Sequence, residues 1–120
     1  MNSIFLKNPI FICGHRKSGT TMLASLFDNH DDLLVYPSDS MFFYKVFPAC
    51  LNLKKKDNIK LVLENCIRDT LNYEIKNTGK KDLFDVDKIS TEFLNEMSKK
   101  DNSPKSLLLS LIKAYSKSCK

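Results

Sequence analysis

The 120-residue chain has no tryptophan, three glycines, four prolines and two histidines. So little glycine and proline weighs against a low-complexity or disordered chain, and an apolar fraction of 42% is that of an ordinary folded domain. The four cysteines, at 13, 50, 66 and 119, include no Cys-x-x-Cys pair, and neither His15 nor His30 stands at metal-ligand spacing from them. That pattern argues against a zinc site or a disulfide framework and predicts a reducing, cytoplasmic compartment. Long apolar runs are also missing. Nothing approaches the roughly 18 residues needed to span a bilayer, and the opening "MNSIFLKNPIFICGHR" is interrupted by Lys7 and Pro9, which breaks the pattern of a signal peptide.

The chain is rich in lysine, and its formal charge of +5 suits an anionic ligand. Part of that excess is local: Lys54, Lys55 and Lys56 form one run, and further lysines flank later segments. No aromatic interleaving or recognition module accompanies these runs, so they read as solvated surface and no nucleic-acid partner is expected.

The order of patterns is informative. "PIFIC", residues 9–13, is a short continuous apolar run ended by Gly14, as expected of a strand buried on both faces of a parallel sheet. Met22, Leu23, Leu26 and Phe27 then form a helical face, stopped by "DNH". "LLVYP", residues 33–37, is a second apolar run. Strand, glycine-bearing loop, helix and strand open an α/β fold, here a P-loop-like parallel sheet with flanking helices. The βαβ segment spans 9–37 and a helical segment spans 57–118. In the latter, apolar faces recur from Ile59 to Ile75, from Ile89 to Met97 and from Leu107 to Tyr115. Asp57 or Asn58 is placed to cap the first helix, and Gly79 to end it. Ser103 and Pro104 make a start signal for the last. Two strands before three helices leave the sheet incomplete, so residues 1–120 read as the N-terminal portion of one larger domain, with an open strand edge that favours self-association.

The chemistry concentrates in "GHRKSGTT", residues 14–21. Gly14 and Gly19 have the spacing of a phosphate-binding loop. Gly19 permits close approach of a ligand to the backbone, and Ser18, Thr20 and Thr21 add hydroxyl donors at the N-terminus of a helix. Arg16 and Lys17 add charge. In a Walker A loop, however, lysine follows the second glycine. Here Thr20 stands in that place and the lysine precedes it, and no apolar run ends directly in a carboxylate that could hold magnesium. A metal-dependent nucleotide kinase or NTPase therefore lacks two of its parts, although that class stays open, as does a non-catalytic anion-binding remnant.

"PIFICGHRKSGTTMLASLFDNHDDLLVYP" resembles the 5′-phosphosulfate-binding segment of the sulfotransferase family, whose loop typically reads Arg/Pro-Lys/Arg-Ser/Gly-Gly-Thr-Thr/Ser. The likeness extends to about residue 48. It implies 3′-phosphoadenosine 5′-phosphosulfate as donor, no metal, and transfer of a sulfuryl group to the hydroxyl of a carbohydrate, lipid, small alcohol or protein. By the same resemblance Lys17 is the catalytic lysine, with Arg16, Lys17, Ser18, Gly19, Thr20 and Thr21 around the 5′-phosphosulfate. Asp39, in "YPSDS", matches the position where several branches of the family carry a glutamate base, one methylene longer. His30, at a helix end, reads as a cap. The family's 3′-phosphate grip, an Arg and a Ser on later elements, has no counterpart: Arg68 is the only arginine after the loop and lies in a helix. The resemblance thus implies an N-terminal part whose remainder lies elsewhere.

Overall fold

The computed structural model describes residues 9–14, 18–28, 30–36, 39–82 and 84–118. The chain divides into two units, Met1–Tyr36 and Pro37–Lys120. Among the described residues, the first holds helix α1 (Thr20–Phe27), and residues 9–14 and 33–36 have no regular structure. The described residues of the second form α2 (residues 42–50), α3 (residues 55–78), α4 (Val86–Met97) and α5 (Pro104–Ser118).

The expected parallel sheet is corrected by this architecture, because there is no strand among the described residues. Residues 9–14 and 33–36 form no ladder, and Ile10 remains 75% exposed and Phe11 54%. An apolar run states what a segment could bury. A strand exists only when a neighbour accepts and donates along its whole length, and that partner is distant in sequence. Neither run forms a strand here. The open sheet edge inferred from the sequence disappears with it. Helix α1 has the apolar face that its periodicity predicts, yet Met22 and Leu26 are 67% and 72% exposed and no residue of α1 is buried.

The core belongs to the second unit, whose helices satisfy their backbone internally and need only cover one another's apolar faces. Phe42, Val46 and Cys50 of α2, Val62, Cys66, Ile67 and Leu71 of α3, and Ile89, Phe93 and Met97 of α4 are all buried. Helix α5 adds Leu107, Leu111, Ala114 and Tyr115, and packs chiefly on α4. The middle of α3 receives both α2 and α4. Leu94, which the periodicity of α4 placed in the core, is 46% exposed.

Helix α3 changes register in the middle. Its backbone is α-helical over Lys55–Leu61, π-helical over Val62–Arg68 and α-helical again over Asp69–Thr78. Where the hydrogen-bond ladder shifts, carbonyls lose their usual N–H partners. Side chains step in: the Asn65 amide donates to Leu61 O at 2.9 Å and the Thr70 hydroxyl to Asn65 O at 2.8 Å. Cys66 and Ile67, successive residues of this segment, are both fully buried. Gly79 ends α3 in the left-handed region (φ 69°), its N–H bonded to Ile75 O at 2.9 Å. Helix α5 starts as its sequence signal predicts, with Ser103 Oγ accepting from the Ser106 N–H at 3.1 Å ahead of Pro104. The Asp101 carboxylate accepts from Ser103 Oγ at 2.7 Å and from the Ser106 hydroxyl, and those bonds hold it below the usual carboxylate range.

Asn58 is not a cap. Helix α3 begins a turn earlier, with the Asn58 N–H bonded to Lys54 O at 3.0 Å, and the Asn58 side chain is fully buried. Its Nδ2 donates to Cys50 O at 2.8 Å and to Asn102 Oδ1 at 2.7 Å, with Leu53 O at 3.4 Å. Asn102 in turn donates to Leu53 O at 3.0 Å. Two amides thereby tie the end of α2, the start of α3 and the turn before α5 into one corner. Between α4 and α5, the nearly buried Glu96 accepts from Lys117 at 2.8 Å and pairs with Lys113 at 3.1 Å.

Candidate functional site

The glycine loop sits at the N-terminus of α1. Of the residues assigned to it, Ser18, Gly19, Thr20 and Thr21 are described, whereas His15, Arg16 and Lys17 lie outside the described residues. Gly19 is the N-cap and adopts φ 91°, a left-handed conformation that disfavours any residue with a Cβ. The reason for glycine here is therefore conformational. Gly14 is in close contact instead. A Cβ there would stand 2.8 Å from Ser18 Oγ and 3.2 Å from Thr20 Cγ2, so a larger residue would have to turn the Ser18 hydroxyl aside. The glycine that ends the apolar run thus lies against the side chains of Ser18 and Thr20.

The consequence is electrostatic. Leu23 N–H is the first to find an intrahelical partner, Gly19 O at 2.9 Å, and no side chain caps the helix. The N–H groups of Thr20, Thr21 and Met22 therefore stand at the positive end of α1, where helices leave donors without an intrahelical partner. Gly19 and Thr21 are exposed and Thr20 partly so. Two threonine hydroxyls and that of Ser18 lie in the same few residues. Chemically, such a turn can surround a tetrahedral anion with backbone and hydroxyl donors.

His30 forms part of a turn. Its Nδ1 accepts from the Asp32 N–H at 3.2 Å, and its carbonyl accepts from the Leu33 N–H at 3.1 Å. Neither bond reaches α1, whose C-cap is Asp28 with its N–H on Ser25 O; His30 meets the helix through its own N–H, bonded to Phe27 O at 3.3 Å, and its side chain does not cap it.

In the second unit, Asp39 is exposed and lines an open depression with Met41, Asp69, Thr70 and Tyr73. Met41 has φ 59°, the positive φ of a non-glycine residue among the described ones. The conformation costs of order 1 kcal/mol or more. It turns the chain sharply into α2, whose first bond runs from the Lys45 N–H to Met41 O at 2.9 Å. Asp69, Thr70 and Tyr73 were not singled out in the sequence. Their signal was available: they flank Leu71 on α3 at positions left polar by the apolar repeat. Arg68 is exposed on the π-helical segment.

The described cysteines, Cys13, Cys50 and Cys66, are reduced thiols. Burial pushes the Cys66 thiol up to about 12, and Cys50 is raised by the same cause, so neither is an available nucleophile. Among the described residues, no group of three or more His, Cys, Asp or Glu side chains could hold a metal ion. No helix among them is long and apolar enough to cross a membrane.

Gly14 lies against Ser18 and Thr20, Gly19 opens a helix, and no lysine follows the second glycine; the donors of such a turn can meet an anion. The model of the sulfotransferase family matches residues 9–112, which includes the loop, Asp39 and most of the helical unit. The chain belongs to the sulfotransferase family, a transferase class whose chemistry is sulfuryl transfer. The match runs well past residue 48, where the visible likeness stops, so the helices α2 to α5 are part of the family domain as well. No curated protein and no solved structure matches the chain.

Proposed function

We propose that this domain binds 3′-phosphoadenosine 5′-phosphosulfate through the loop at residues 14–21 and directs its sulfuryl group to an acceptor hydroxyl. The observation that carries this reading is the N-terminus of α1, opened by Gly19 in the left-handed region and uncapped by any side chain, with Gly14 against Ser18 and Thr20, within a family domain. In the proposal, the N–H groups of Thr20 and Thr21 and the hydroxyls of Ser18, Thr20 and Thr21 hold the 5′-phosphate. Arg16 and Lys17 supply the cationic charge. The donor contributes the activated sulfuryl group, which passes as neutral SO₃ between two oxygens and needs no divalent metal to neutralise a triphosphate. Lys17 stabilises the negative charge that gathers on the bridging oxygen as the S–O bond lengthens. Asp39, whose exposed side chain lines a depression with Thr70 and Tyr73, accepts the proton of the acceptor hydroxyl. The acceptor class stays as wide as the family's: carbohydrate, lipid, small alcohol or protein.

Titration with 3′-phosphoadenosine 5′-phosphate tests the reading. Binding should survive EDTA and fall at least about ten-fold in Lys17→Ala, whereas Asp39→Asn should leave donor affinity intact and slow transfer by about 10²–10⁴-fold in a chain that turns over. Binding that requires Mg²⁺, or that is indifferent to Lys17→Ala, would point instead to a nucleotide kinase or an unrelated basic patch.

A further inference from the structure

Helix α2 presents an apolar face that its own unit does not cover. Phe43 and Phe47 are 51% and 43% exposed, with ring centroids 6.1 Å apart, and Tyr44 is 77% exposed. The face continues past the helix end through Leu51 (70%) and Leu53 (37%). Scattered exposed apolar residues are ordinary, but Tyr44, Phe47 and Leu51, spaced three and four apart, share one side of the helix and its end, which suits a surface with a partner.

The charge beside it identifies that partner. The amides of Asn58 and Asn102 fasten the Cys50 and Leu53 carbonyls to the start of α3 and to the turn before α5. Lys55 Nζ reaches Lys100 O across the same corner. Lys54, Lys55 and Lys56 are thus gathered with Lys99 and Lys100 next to Leu51 and Leu53. Asp57 and Asp101 are the acids of that neighbourhood, and Asp101 is already engaged by two serine hydroxyls. Lysines rimming an apolar ridge with an aromatic flank are suited to a surface that is anionic outside and apolar beneath. A second copy of the chain docking symmetrically here would set lysine cluster against lysine cluster. A nucleic acid would satisfy the lysines, but Leu51 and Leu53, the exposed residues next to them, offer a base no π-face.

We propose that the α2 ridge and its lysine corner are a docking surface for anionic lipid bilayers, with Tyr44, Phe47 and Leu51 entering the headgroup boundary and Lys54, Lys56, Lys99 and Lys100 held over the lipid phosphates. The domain then works at a membrane surface without spanning it. The inference is independent of the donor loop, because it uses no residue of that loop.

Co-sedimentation of the full chain with phosphatidylcholine vesicles, with and without phosphatidylserine, tests it. The expected result is binding that requires phosphatidylserine and fades in high salt as the Debye length contracts. Lys54→Glu/Lys56→Glu should weaken it about ten-fold or more. Leu51→Ser, which leaves every lysine in place, should also weaken it, with helicity checked by circular dichroism for both variants. No binding, equal binding to neutral vesicles, or indifference to both variants would overturn the proposal. So would tighter binding to single-stranded RNA than to vesicles, or a dimer that Leu51→Ser dissolves.

Discussion

Replacing Asn58 by aspartate exchanges an amide for a group of the same shape that, when ionised, can only accept hydrogen bonds. The site offers it nothing to accept. Asn58 Nδ2 faces Cys50 O, Asn102 Oδ1 and Leu53 O, three oxygens, and the side chain is fully buried. The new carboxyl must therefore fold protonated, donating its single O–H to one of these oxygens, or bury a charge among like dipoles. Its folded pKa rises above the unfolded value of about 3.9. A carboxyl raised in this way carries no charge penalty at pH 4 and a growing one as pH climbs. If it stays neutral to pH 7, the roughly three units above 3.9 amount to about 4 kcal/mol, on top of about 1 kcal/mol for one lost donor at every pH. Asn58→Ala supplies the comparison: it orphans the same carbonyls but adds no titrating group, so its cost of about 2–3 kcal/mol should be flat with pH. Urea melts of both variants between pH 4 and 7 decide the matter. A widening gap, with Asn58→Asp the worse at neutrality, is expected. Parallel profiles would show that water or another donor reaches the corner, and that the amide pair does not hold it as described.

Glu96→Gln should cost about 1–2 kcal/mol at pH 7, a value discounted because both lysines are about a third exposed. Burial acts to raise the Glu96 carboxyl, but hydrogen bonds from Lys117 and Lys113 outweigh it and the net shift is downward, so this stabilisation holds above about pH 4.3 and vanishes as pH falls through the folded pKa. Melts of variant and parent should converge in acid. Gly19→Ala places a Cβ at φ 91° and should cost about 1–2 kcal/mol, read as a five- to thirty-fold loss of 3′-phosphoadenosine 5′-phosphate affinity; an unchanged titration would separate the loop's conformation from binding. Among the described thiols, Cys13 should react with a thiol reagent in the native protein while Cys66, with about 10⁻⁴ of its thiol ionised at pH 8, stays silent until denaturant is added. Mass spectrometry after a short pulse distinguishes them.

Helices were more legible than strands because of range. The faces of α4 and α5 repeat within a dozen residues, and the Ser103–Pro104 start signal acts over one turn. A strand at "PIFIC" needed a ladder that no local pattern can supply, and residues 9–13 form no strand. Asn58 was misread for a related reason. At the head of an apolar repeat an asparagine looks like a cap, and only the approach of Asn102, 44 residues away, turns it into a buried clasp. The loop was legible as a motif, and the structure adds why each glycine is there: φ at Gly19, contact at Gly14. The depression beside Asp39 was half legible, since Asp69, Thr70 and Tyr73 reach it only through the packing of α3.

The π-helical segment at Val62–Arg68 also bears on how this chain can change length. Each residue of an α-helix turns the next by about 100°, so a π turn absorbs one extra residue without rotating the helix beyond it. Deleting a single residue between 62 and 68 would restore an unbroken α-ladder and satisfy the backbone locally. It would leave Leu71, and Asp69–Thr78 with it, in their present phase against the core. Deleting or adding a residue in the α-helical stretch Lys55–Leu61, by contrast, has no such slack and would turn one part of the helix about a quarter-turn or more against the other. Helix α3 therefore carries a phase-setting joint. Natural variants of this domain should tolerate the loss of one residue between 62 and 68, and should place their other insertions in the turns at 51–54 and 79–82, where no helical phase has to be kept.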